Sequence, residues 1–182
     1  MSSESFDPRD RANDTDSRGM ARDLGGLLVF VAVALAVAGL AGISTLATMD
    51  GWYAEAEKTL WSPPNDLFGP TWAVLYTLMA VSAWLVWRRP NSAERQVALG
   101  LFAGQLAMNA AWTPLFFVLY DAIGGVALWI ALAWIVLLDF VVLATVIKFW
   151  PVNRLAAVLL VPYWMWLLFA TALNASIAVM NG

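Results

Sequence analysis

The sequence predicts an all-α integral membrane protein, a bundle of five transmembrane helices, and two observations predict it. Of 182 residues, 62% are hydrophobic and only 13% charged, and the apolar residues gather into five runs of the ~20 residues that a helix needs to cross a hydrocarbon core. The basic residues are sorted by those runs. Nine of the ten Lys and Arg precede the first run or occupy the second-to-third and fourth-to-fifth connections, whereas Lys58 alone falls on the opposite side. That asymmetry orients the bundle with its N-terminus in the cytoplasm and its C-terminus outside. With no targeting peptide ahead of the first span, the expected location is a plasma membrane, crossed several times.

The chain contains no Cys and no His, which removes disulfides, thiolate chemistry, zinc centres and histidine-ligated haem. No metal, resident cofactor or nucleic-acid partner is expected. Residues 1–23 hold four arginines and six acids with almost nothing apolar, a composition that cannot bury enough surface to order itself. They are read as a disordered cytoplasmic tail ahead of a membrane domain spanning 24–182.

The first span, 24–48, is rich in Ala, Val and Gly, and Gly39 and Gly42 would permit close helix approach. The connection 49–69 carries Trp52, Tyr53, Trp61, Leu67 and Phe68 with the rigid pair Pro63-Pro64. A loop this aromatic either lies in the headgroup region or folds over the bundle as a lid; the prolines, by lowering the entropy cost of a defined fold, favour the lid. The second span, 70–87, opens with Pro70 at a first helical position. In the third, 97–120, Gln105, Asn109 and Trp112 share one helical face, where buried amides call for partners. The bland account of that face is interhelical glue. Gly100, Ala103, Gly104 and Ala107 of the same span have the small-xxx-small spacing of a helix-to-helix or dimer contact.

The fourth span, 124–149, contains Asp139 near its middle. An intramembrane carboxyl has two readings, a functional group or a protonated acid bonded to a neighbouring helix. The fifth span, 155–180, holds Pro162, Trp166, Ala170 and Asn174 at four-residue spacing. The amide must face protein, and Pro162 leaves the carbonyl of Val158 without its helical partner. The stripe suggests one wall of a cavity. No internal repeat supports an inverted-repeat transporter.

Four stretches together, WYAEAEKTLWSPP in the loop, FGPTWAVLY, GQLAMNAAWTPLFF and PYWMWLLFATALN, resemble the signatures of the TspO/MBR family of tryptophan-rich sensory proteins. They run in order from Trp52 to Asn174, about two thirds of the chain. The resemblance implies a five-helix bundle, usually a homodimer, with a pocket under the first loop that takes porphyrins and, in relatives, isoquinoline and benzodiazepine ligands. Carried onto this sequence, the pocket residues are Tyr53, Pro63, Trp72, Gln105, Asn109, Trp112, Trp166, Ala170 and Asn174. Trp faces stack on flat aromatic ligands while a few amides fix orientation. Two departures stand out. Lys58-Thr59-Leu60-Trp61 lacks the family's usual proline before the tryptophan, and residues 175–182 contain no Tyr, Lys or Arg, so sterol recognition by the cholesterol motif of the mammalian members is not supported.

Three functions compete at this level: a receptor or sensor that binds tetrapyrroles and regulates through a partner, an enzyme that degrades bound porphyrin in light with Trp72 and Trp166 as redox candidates, and a carrier. The chain has no ATP site, no repeat pair and no proton relay beyond Asp139. The receptor, which requires only binding, is the leading expectation.

Overall fold

The structure, a computed structural model, describes residues 8–49 and 51–182. All of its regular structure is helical: α1 Pro8–Met49, α2 Trp52–Glu55, α3 Asn65–Trp87, α4 Ala93–Phe117, α5 Leu119–Ile123, α6 Val126–Val152 and α7 Arg154–Asn181. The five long helices correspond one to one with the five predicted spans. Four of them are apolar enough to cross a membrane on length and composition alone. The other, α4, opens with Glu94 and Arg95 and carries the amides Gln105 and Asn109.

Contacts run α1 to α3, α3 to α7, α7 to α6, α6 to α4 and α4 back to α1, closing a ring of five helices. Its core is a continuous cluster that includes Tyr76, Met79, Phe102, Ile135, Leu138, Phe149, Leu160, Tyr163 and Leu167. One end of the ring, the basic end, carries the α3–α4 and α6–α7 connections. Asn153 ties it together: its side chain accepts from the Ala156 N–H at 3.2 Å, capping α7, and donates to the Leu85 carbonyl at 3.3 Å. Nearby, the buried Ser82 hydroxyl donates to the Ala156 carbonyl at 2.6 Å. The opposite end, the loop end, carries the 51–64 segment and α5.

Several boundaries differ from the sequence reading. The expected tail lies within α1 from Pro8 onward, since a helix already nucleated by an apolar span extends without a second nucleation cost; residues 1–7 lie outside the described residues. Pro70 is inside α3, which starts five residues earlier after Pro64 at φ −56° and ψ 143°. Pro70 withholds one hydrogen bond close to the helix start, where the loss is small. Gly39 and Gly42 have no described neighbour that a Cβ would touch, whereas a Cβ on Gly26 would meet the Trp87 ring at 2.5 Å. The close approach of α1 to α3 is therefore made at Gly26.

Candidate ligand site

The sequence-predicted residues collect in two adjoining clusters toward the loop end. In the first, α2 docks on the α4–α5 corner. The Trp52 indole donates to the Phe117 carbonyl at 2.9 Å and stacks on Tyr120 at 3.9 Å. Buried Tyr53 meets Phe116 and Phe117 edge-on at 6.1 and 5.3 Å, and the Lys58 ammonium lies 4.3 Å from its ring centroid. Burial pushes the Tyr53 phenol above its ordinary value. Trp112 belongs to both clusters: it stacks on Phe116 at 5.2 Å, and its Nε1 donates to Asn174 Oδ1 at 3.2 Å. Asn174 in turn donates from Nδ2 to the Leu128 carbonyl at 3.1 Å. One buried amide thus joins α4, α6 and α7.

The second cluster lies deeper, between α3, α4 and α7. Asn109 donates from Nδ2 to the Tyr163 hydroxyl at 3.0 Å. Trp72 flanks that tyrosine at 6.5 Å and Tyr76 at 5.6 Å. Ala170 is buried beside them, in the same core. Trp166 meets Phe68 at 6.1 Å and Phe169 at 5.4 Å, and Phe169 meets Trp61 of the loop at 5.7 Å. Pro63, in the loop two residues after Trp61, is half-buried. The loop accordingly folds onto the helix ends through Trp52, Tyr53 and Trp61.

Among the described residues, the Gln105 amide and the Trp164 and Trp166 indole nitrogens are buried without a partner. Gln105 is 1% exposed, and both its amide nitrogen and its oxygen lack a hydrogen bond; the Trp166 indole nitrogen is likewise buried and unpaired. Leaving a buried donor or acceptor unmet costs about 1–3 kcal/mol each. Asp139 is half satisfied: Oδ2 accepts from the Thr171 hydroxyl at 2.8 Å, while Oδ1 is buried without a partner. The pairing with α7 matches the structural reading of that carboxyl.

Sequence reasoning missed Tyr163, Phe169 and Tyr76, and named Phe68 only as a loop aromatic. The signal for Tyr163 was its hydroxyl inside an apolar run. A strict four-residue stripe drifts by about 40° per step around a helix of 3.6 residues per turn, so Pro162 emerges exposed and Trp166 half-buried, while Tyr163, Leu167, Ala170 and Asn174 form the buried face. The stripe Gly100, Ala103, Gly104 and Ala107 is exposed on the outside of α4. Farther along that helix, a surface groove of about 440 Å³ is lined by Ala111, Pro114, Leu115, Val118, Leu119 and Ala122.

A profile of the TspO/MBR family matches residues 30–180. The translocator protein of Sus scrofa is 42% identical over 125 residues, covering 68% of this chain and 70% of that protein. Protein CrtK of Rhodobacter capsulatus is 39% identical over 150 residues, 82% of this chain and 89% of its own length. The tryptophan-rich protein TspO of Archaeoglobus fulgidus is 34% identical over 155 residues, 85% and 96% respectively.

Proposed function

The chain belongs to the TspO/MBR family of multi-pass membrane proteins, and from that membership we propose that it is a receptor that takes a porphyrin or similar flat hydrophobic ligand between its helices under the loop, with a regulatory role. The observation that carries this reading is a pair of buried unmet polar groups, the Gln105 amide and the Trp166 indole nitrogen, the latter beside the rings of Phe68 and Phe169. A flat ligand with polar substituents would satisfy both while its faces stack on tryptophan. Neighbouring rings already stand 5.4–6.1 Å apart along Trp166, Phe169 and Phe68, so entry requires the rings and the loop above them to part.

The same reading puts the chain in a plasma membrane with its basic end cytoplasmic, and pairs two copies along Gly100, Ala103, Gly104 and Ala107. Exposure of that stripe, and the apolar groove continuing it, support the pairing.

The test is a titration of the detergent-solubilised protein with metal-free protoporphyrin in the dark, followed by tryptophan quenching and repeated with Gln105→Leu and Trp166→Phe. Saturable binding that both changes weaken supports the receptor. Illumination of the saturated complex separates the other readings: product that forms in light and vanishes with Trp72→Phe or Trp166→Phe, binding being retained, would make the protein an enzyme. Relatives named translocator protein raise the carrier, and porphyrin flux across vesicles holding the protein would identify it. Absence of saturable binding would refute the proposed ligand class.

A further inference from the structure

At the basic end a cavity of about 300 Å³ lies between α1, the last turn of α3 and the connection into α4. Its walls carry four guanidinium groups, Arg22, Arg88, Arg89 and Arg95, against one carboxylate, Asp23. That carboxylate is committed, with Oδ2 2.7 Å from Arg88 Nη2. Three positive charges therefore face one volume with no counter-charge among the lining side chains. The nearest other acid in sequence, Glu94, is exposed and does not line the cavity.

Arg22, Arg88 and Arg89 reach solvent and Arg95 is half-buried, and three of the four are held in place by neighbours. The Arg22 guanidinium lies 5.4 Å over the Trp87 ring and that of Arg88 lies 4.6 Å over Trp84. Trp84 is itself anchored, its Nε1 donating to the Asp23 carbonyl at 2.8 Å. Arg95 donates from Nη1 to Asn91 Oδ1 at 3.1 Å, and its buried Nε has no partner. The positive-inside bias accounts for basic residues at this end but not for their convergence on one cavity. Arg154, at the same end, sits over Trp150 at 5.8 Å and does not line the cavity.

We propose that this cavity binds a phosphate-bearing anion, and its position at the membrane boundary points to the head group of an anionic lipid as the source. Guanidinium forks match phosphate oxygens in charge and geometry, and basic pockets between helices at a membrane surface take such groups. The volume equals that of about ten waters, which accommodates one head-group phosphate.

The full-length protein, solubilised and delipidated, is titrated separately with short-chain phosphatidic acid, the matching phosphatidylcholine and inorganic phosphate. Binding is read by native mass spectrometry and by the shift in unfolding temperature. The expected result is one saturable phosphatidic acid per chain, weakened about fivefold by each of Arg22→Gln and Arg95→Gln and unchanged by Arg154→Gln. Arg95→Lys, which keeps the charge, retains most of the binding and controls for misfolding. Inorganic phosphate that binds with the same arginine dependence would keep the site and make its ligand a soluble phosphate. Equal losses in Arg154→Gln, equal binding of phosphatidylcholine, or no saturation with either phosphate probe would overturn the proposal.

Discussion

Asn181 holds Glu57 by both of its backbone groups: Oδ1 accepts the Glu57 N–H at 2.8 Å, and Nδ2 donates to the Glu57 carbonyl at 3.0 Å. This clasp joins the last turn of α7 to the loop above the candidate site. In Asn181→Leu both bonds are lost at roughly 0.5–1.5 kcal/mol net each, so the loop should open on the order of tenfold more often. Faster amide exchange at Glu57 and faster tryptic cleavage after Lys58 are expected. Unchanged exchange at both would show that the loop is held by its aromatic contacts alone.

Tyr163→Phe removes the hydroxyl that accepts from Asn109. Its Nδ2 is then left buried without an acceptor, at a cost of about 1–3 kcal/mol. A fall in unfolding midpoint of that size, read in detergent, is expected; no change would mean that the amide finds another partner by relaxation.

The Asp139–Thr171 pair predicts a signed coupling. Thr171→Val strands a buried carboxyl oxygen and should destabilise the bundle by about 1–3 kcal/mol. Removing both partners, in Asp139→Leu with Thr171→Val, should recover most of that loss, because two apolar groups leave nothing unpaired. Additive losses would reveal a second partner for Asp139. Asp139→Asn should leave porphyrin affinity unchanged.

Tyr53 gives the loop a pH limit. Its phenol is pushed up by burial, so the folded chain holds this proton more tightly than the unfolded one. The stability it contributes is complete below the ordinary phenol value of about 10 and declines as pH rises through the folded value. The phenolate absorbance of the native protein minus that of Tyr53→Phe should titrate above the ordinary value. A difference that titrates at or below it would show that the ring is not buried under the loop.

The spans were legible because twenty apolar residues in sequence have one economical fate, and the basic connections give them direction. The faces were legible only in part. Gln105, Asn109 and Trp112 lie within seven residues, over which helical drift is small, and all three point inward as spacing predicts. The stripe from Pro162 to Asn174 is longer, and there the drift carried the reading from the buried Tyr163 to the exposed Pro162. Charge count marked the basic end, but the convergence of Arg22, Arg88, Arg89 and Arg95 on one cavity depends on how α1 lies against α3 at Gly26.

By itself the sequence determined that this chain crosses a membrane as helices and that an amide or carboxyl left unpaired within them is costly, because hydrocarbon offers no partner. The tertiary structure alone decided the partners: Tyr163 for Asn109, Trp112 and Leu128 for Asn174, Thr171 for Asp139, and none for Gln105. Hydrophobicity sets which segments enter the membrane without regard to rotation or register between helices. Those are settled by side-chain packing and interhelical hydrogen bonds across the whole ring at once.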